Sequence, residues 1–141
     1  MKSVKNIDFF KNIKQVREFD FGIFYCFDGL VISEMKEGVI FNWNMAKHAI
    51  KASQEVLGED CQIAYISNRI NSYYIVPTDW IKFFKNRNQL NFYSVVGYTK
   101  GNRVSLYLER LFFRNSIKKF TDLEEAISWS MEKIEKESVL F

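Results

Sequence analysis

The chain has 141 residues, enough for one domain of ordinary size and too few for a second independent core. Hydrophobic residues at 48%, charged residues at 26% and a single proline exclude a disordered or collagen-like chain, and no stretch reaches the roughly 20 apolar residues of a membrane span. The formal net charge is only +3, while 14 Phe, 7 Tyr and 3 Trp give more rings than an average core needs.

The first nineteen residues, MKSVKNIDFFKNIKQVREF, scatter charge throughout and hold no apolar run of signal-peptide length, so a cytoplasmic location is expected. Segments 14–19, 22–27 and 30–35 are rich in β-branched and aromatic residues. Asp28-Gly29 between the last two is a two-residue hairpin signal, so the chain should open with antiparallel strands. From Trp43 the period changes: Trp43, Ala46, Ile50, Ser53 and Leu57, with Ala49 and Val56 beside them, share one helical face. Asn42 is placed to cap this helix and Gly58 to stop it. CQIAYIS at 61–67 reads as a strand buried on both faces. Pro77-Thr78-Asp79 opens a helix over 78–86 carrying Trp80, Phe83 and Phe84, and FYSVVGY at 92–98 is a second buried strand.

A helix follows from about Asn102 to Phe113, with Val104, Tyr107, Leu108 and Leu111 on its apolar side. A short strand at 117–120 leads into Thr121-Asp122-Leu123-Glu124, which reads as a capping box, and the last helix points Leu123, Ile127, Ser130, Met131 and Ile134 inward. Trp129 lies off that stripe and marks a surface contact. The order β-β-β-α-β-α-β-α-β-α predicts an α/β domain with a mixed, largely parallel sheet that starts with an antiparallel hairpin.

Charge is segregated along this order. Residues 1–81 sum to −1, residues 82–119 to +8 and residues 120–141 to −4. A basic band can meet nucleic acid or an anionic membrane, but it contains no dense Lys/Arg run or nucleic-acid motif. It reads as solvated helix faces balanced by the acidic last helix, and no nucleic-acid partner is expected.

Little in the chain supports catalysis. None of the six glycines falls in a phosphate-cradling spacing, so no nucleotide cofactor is expected. His48, the one histidine, sits on a predicted helix surface where a buried triad is hard to build, and Glu34 with Glu37 is an unremarkable acidic pair at a strand exit. Cys26 and Cys61 lie in apolar runs and read as buried free thiols. With a single distant histidine they cannot supply four zinc ligands, so no metal site is expected.

The candidate site is the long connection at 67–77. Loops at the carboxyl ends of parallel strands are where doubly wound folds place their sites, and eleven residues is long for such a link. Ser67, Asn68, Arg69, Asn71, Ser72, Tyr73 and Tyr74, with Asp79 and Trp80 on the following helix, are the residues expected to bind a partner. Arg69 could take a carboxylate or phosphate, and the tyrosines could supply amphipathic contact area. The plainer alternative is that the asparagines and Ser72 form turns, Arg69 ties the loop down and the tyrosines cover the core.

From Phe24 to Trp129 the sequence resembles the SpoIIAA-like proteins, relatives of STAS domains also labelled STAS/SEC14-like. The residues that carry the resemblance are YCFDGLVISEMKEGVIFNWNMA, AYISNRINSYYIVPTDWIKFF and LERLFF…IKKFTDLEEAISW. The resemblance implies helices mainly on one face of the sheet, no catalytic residues, and a regulatory role in docking a protein or a lipid-like ligand. In the phosphorylatable members a serine near the matching loop is modified, which points here to Ser67 and Ser72. The sequence departs from the Asp-Ser-x-Gly type of signature, since no acidic residue precedes Ser67 and Asn-Arg follows it.

Two functions follow. One is a noncatalytic interaction module that docks a partner through 67–77 and the helix after it, with self-association as a homodimer. The other is a carrier or sensor of a hydrophobic ligand, with Phe83, Phe84, Phe92, Tyr107, Phe112 and Phe113 lining a pocket.

Overall fold

Residues 2–60, 62–76, 78, 79, 82, 90–98 and 117–139 are described by a computed structural model. Its strands are β1 (Gln15–Phe19), β2 (Gly22–Phe27), β3 (Leu30–Met35), β4 (Ile40–Phe41), β5 (Ile63–Arg69), β6 (Tyr74–Ile75), β7 (Leu90–Gly97) and β8 (Ile117–Phe120). Its long helices are α1 (Trp43–Leu57) and α2 (Leu123–Val139). Six strands form one sheet in the order β1-β2-β3-β5-β7-β8; the first two pairings are antiparallel and the remaining three parallel. The fold is α/β with an antiparallel hairpin at the start, as the element order predicts. Thr78, Asp79 and Lys82 are helical. The rest of the helix expected at 78–86, including Trp80, Phe83 and Phe84, and the whole of that expected at 102–113 lie outside the described residues.

Local chemistry accounts for the regular parts. Gly29 turns the β2–β3 hairpin at φ 73°, a left-handed conformation that side chains disfavour. Asn42 Oδ1 accepts the Met45 N–H at 3.0 Å and so caps α1, and Gly58, at φ 91°, ends it. At α2 the cap is Asp122 and not Thr121: the helix begins one residue later than the expected box, and Asp122 Oδ2 accepts the Glu125 N–H at 3.1 Å. The strand expected at 61–67 runs instead from Ile63 to Arg69, so Ser67, Asn68 and Arg69 belong to the sheet and not to the loop.

Strand alternation divides the core between two faces. Tyr25, Phe27, Leu30, Ile32, Ala64, Ile66 and Val96 pack beneath Leu123, Ala126 and Ile127 of α2. Phe24, Cys26, Val31, Met35 and Ile63 pack beneath Ala49 of α1, with Tyr93, Val95 and Ile117 continuing that side across the parallel half. The two described helices therefore cover opposite faces, and the expectation of helices mainly on one face does not fit this pair. The α2 face is completed by the N-terminal segment, two short 3-10 turns at Val4–Asn6 and Asp8–Asn12 that sequence periodicity does not reveal. Phe9 packs on Phe27 with ring centroids 4.6 Å apart, and Phe10 meets Tyr25 edge-on at 6.1 Å. Trp129 is half-buried and is held in the fold by Phe120 at 5.8 Å and Phe92 at 6.2 Å.

At Gly22 the constraint is space. A methyl group there would meet the Glu34 carbonyl oxygen and the Met35 Cα at 2.9 Å, both backbone atoms of the neighbouring strand. Gly22→Ala should lose about 2 kcal/mol in urea unfolding, within the range for forced overpacking. An unchanged midpoint would show that β2 and β3 are not in this close register.

Candidate functional site

The carboxyl ends of the parallel strands carry two polar clusters, one on each face of the sheet, because successive side chains of β5 point in opposite directions. Three consecutive polar residues end this strand, and Ser67, Asn68 and Arg69 are each 1% exposed. Groups buried so deeply need internal partners.

Asn68 finds its partners on the α2 face. Its Nδ2 donates to Glu34 Oε2 at 2.8 Å and to the Lys2 carbonyl at 2.9 Å, and its Oδ1 accepts from the Tyr98 hydroxyl at 2.8 Å. Glu34 is itself buried and also accepts the Ser3 hydroxyl at 2.7 Å and the Val4 N–H at 2.8 Å. The carboxylate thus fastens the N-terminal segment to the strand ends. Exposed Lys2 adds an ion pair with Glu124 at 2.8 Å, a solvated contact of small energetic weight. The Tyr98 phenol is pushed up to about 12, chiefly by burial.

Ser67 and Arg69 find theirs on the α1 face. Ser67 shares a 2.8 Å hydrogen bond with the Tyr73 hydroxyl, and Ser33 shares one with the Tyr65 hydroxyl. The Arg69 guanidinium carbon lies 4.5 Å from the centre of the Tyr73 ring, a cation–π distance. Tyr65 and Tyr93 stand beside it with ring centroids 5.1 Å apart, and burial followed by the neighbouring phenols pushes both hydroxyls up. Tyr65 and Tyr93 are thereby kept neutral near pH 7 and do not serve the guanidinium as counter-ions.

Beyond Arg69 the chain is stitched to residues 35–43. Asn71 Nδ2 donates to the Met35 carbonyl at 3.0 Å, the Ser72 N–H to Glu37 Oε2 at 2.8 Å, and the Gly38 N–H to the Ser72 carbonyl at 2.8 Å. The Tyr74 and Val76 N–H groups donate to the Val39 and Phe41 carbonyls at 2.8 and 3.1 Å, which makes β6 a parallel partner of β4. Asp79 closes the series by accepting the Trp43 N–H at 2.8 Å. In this small sheet Ile40 pairs with Tyr74, and these two are the most exposed of the large hydrophobic residues described, at 59% and 51%.

The sequence-selected residues therefore divide. Ser67, Asn68, Arg69 and Tyr73 are buried, Asn71 and Asp79 tie the connection down, and Tyr74 and Ser72 reach solvent. Trp80 lies outside the described residues, as do Phe83, Phe84, Tyr107, Phe112 and Phe113. Phe92, the one described member of the expected ligand-pocket set, packs on Trp129 on the α2 face. Cys26 is a buried free thiol, raised by burial, and Cys61 lies outside the described residues. His48 is exposed on α1. Among the described residues no group of three or more His, Cys, Asp or Glu is arranged to hold a metal ion, and no helix is long and apolar enough to cross a membrane.

Sequence reasoning passed over Glu34 as an ordinary acidic residue at a strand exit. Its parity with Leu30 and Ile32, both on the α2 face of a strand buried on both sides, was the available signal. Ile40 gave none, because its exposure depends on β6 returning beside it. Comparison with family models, curated proteins and solved structures finds no match to this chain.

Glu34→Ala should lose about 3 kcal/mol in chemical denaturation, since it strands the buried Val4 N–H and the Asn68 amide. Glu34→Gln should lose only about 1 kcal/mol, because its carbonyl keeps those two donors while its amide donates to Ser3, whose hydroxyl can accept. Equal losses would show that the carboxylate does not organise this cluster.

Proposed function

We propose that the chain is a noncatalytic, STAS-like regulatory module that docks a protein partner through the 70–79 connection and the β4–β6 edge. The observation that carries this reading is the Ile40–Tyr74 pair, two large hydrophobic side chains side by side in solvent on backbone held by hydrogen bonds on both strands. An exposed aromatic on fixed backbone costs little ordering entropy when a partner closes over it, which is the usual physical basis of an interface anchor. The element order and the mixed sheet support the STAS-like reading, and the placement of the 70–79 connection at the carboxyl end of β5 supports a site there.

The buried residues of the connection then have a supporting task. Ser67, Arg69 and Tyr73 fix the base of the loop, and Asn71 and Asp79 fix its path, so that Tyr74 is presented in one orientation. Of the two serines singled out for phosphorylation, Ser67 is buried against Tyr73 and Ser72 is exposed. A phosphate on Ser72 would bring negative charge beside Glu37, whose carboxylate holds the Ser72 N–H, and would loosen the stitch.

A benzoylphenylalanine replacing Tyr74 in the producing cell should form a discrete photo-adduct with one protein. The adduct should disappear when Ile40→Asp is added and be absent when the same probe replaces exposed Lys47 on α1. Tyr74→Ala should change stability by less than about 0.5 kcal/mol, as expected of an exposed side chain. No adduct at Tyr74, or adducts indifferent to Ile40, would overturn this assignment.

A further inference from the structure

Residues 2–13 complete the α2 face without joining the sheet. Among the described residues, their backbone–backbone hydrogen bonds close inside the segment, each over three residues. The N–H groups of Asn6, Ile7, Phe10 and Ile13 donate to the carbonyls of Ser3, Val4, Ile7 and Phe10. The first backbone bond to reach the sheet comes after the segment, from the Lys14 N–H to the Cys26 carbonyl. The segment is therefore held to the domain through side chains: the Glu34 and Asn68 contacts at its start, and Ile7, Phe9, Phe10 and Ile13, all only half-buried, along its length. Lys5, Asn6, Asp8, Lys11 and Asn12 are exposed on its outer side.

The start of the segment occupies a cleft at the carboxyl ends of β3, β5 and β7, as a bound peptide would. With Ser3 extended, Lys2 offers its carbonyl to Asn68 Nδ2, while the Ser3 hydroxyl and the Val4 N–H donate to the two oxygens of Glu34. The Val4 side chain is 0% exposed among the core residues beneath α2, and the Lys2 ammonium meets Glu124 on α2. The Tyr98 hydroxyl, just beyond β7, donates to Asn68 Oδ1 and so turns the amide nitrogen toward the segment. The cleft does not need its occupant for its form: Glu34 is held by pairing with Ile23 and Asn68 by pairing with Val96, within the sheet. Attachments made by side chains at the periphery open at lower free energy than a central ladder.

We propose that residues 2–13 are a releasable, autoinhibitory strap, and that the Glu34–Asn68–Tyr98 cleft beneath it takes an extended peptide of a partner with the strap's own pattern. That pattern is a basic residue, a hydroxyl residue and a small branched apolar residue in succession. Each feature has its counterpart in the site: Glu124 for the cation, Asn68 for the first carbonyl, Glu34 for the hydroxyl and the next N–H, and the core beneath α2 for the apolar side chain. In the closed state the strap competes in cis, so the affinity for a peptide in trans is reduced by the fraction of molecules whose strap is open. The site involves neither Ile40 nor Tyr74, so it stands or falls separately from the docking edge.

Two measurements on the full chain test it. In native-state hydrogen exchange the Val4 amide should have a protection factor about 100-fold or more below that of the Ile66 amide in β5, as a unit that opens while the sheet stays folded. Val4→Asp sets a carboxylate at a core position next to Glu34 and should release the strap while the β5 amides remain protected. The variant should then bind an added synthetic peptide of residues 2–13, Lys-Ser-Val-Lys-Asn-Ile-Asp-Phe-Phe-Lys-Asn-Ile. An opening constant of about one in a hundred and an effective concentration on the order of 1 mM give a dissociation constant on the order of 10 μM. The wild type, with its cleft filled, should bind the same peptide about 100-fold more weakly. Equal protection of Val4 and Ile66, global unfolding of the Val4→Asp variant, no binding of the peptide by that variant, or equal binding by variant and wild type would each overturn the proposal.

Discussion

The burial of three polar residues in succession at the end of β5 is the constraint on which the surrounding structure depends. A central strand is covered on both faces, so Ser67, Asn68 and Arg69 cannot turn to water, and each buried polar group left without a partner would cost about 1–3 kcal/mol. Their alternation sends Asn68 to one face and its two neighbours to the other. On the first face Asn68 is satisfied by Glu34, Tyr98 and the Lys2 carbonyl, which ties the N-terminal segment to a strand end more than sixty residues away in sequence. On the second, Ser67 and Arg69 are met by Tyr73, only a few residues downstream, so the chain must reverse at once. The exposed edge is a consequence of that reversal. With Tyr73 fixed inward, Tyr74 points out, and the bonds to Val39 and Phe41 hold it beside Ile40.

Much of the fold was legible because its signals are local. Asp28-Gly29 announces a hairpin, Asn42 and Gly58 bracket α1 at the residues where it starts and stops, and IKKF at 117–120 is the observed β8. What was not legible depends on distant partners. Asn68 and Arg69 look like turn residues until the Glu34 carboxylate and the Tyr73 ring are known to meet them, so the strand reads as ending two residues early. Val4–Asn6 and Asp8–Asn12 have no helical period of useful length and owe their form to Phe9 and Phe10 packing on β2. The one-residue displacement of the α2 cap reflects two adjacent residues, Thr121 and Asp122, that are both good caps.

The candidate site was legible in position and less so in division of labour. The unusual length of the connection after β5 and its place at a strand's carboxyl end were sufficient to select it. Which side chains anchor and which are presented depends on where the sheet ends, and that follows from burial. A charge such as Arg69, readily imagined as a ligand for a carboxylate or phosphate, lies under the aromatic cover of Tyr73 on the α1 face. Docking is assigned instead to the apolar pair that the anchors hold in place.

Rigidity of the 70–79 connection is the central claim, because a mobile loop could not present Tyr74 at low entropic cost. Native-state hydrogen exchange of the Tyr74 and Val76 amides, each donating to the strand beside it, measures it most directly. The account predicts opening free energies for both within about 1–2 kcal/mol of those of the β5 core amides, in the same cooperative unit. Exchange at the rate of a solvated loop would contradict it, and with it the assignment of this edge as a preformed docking surface.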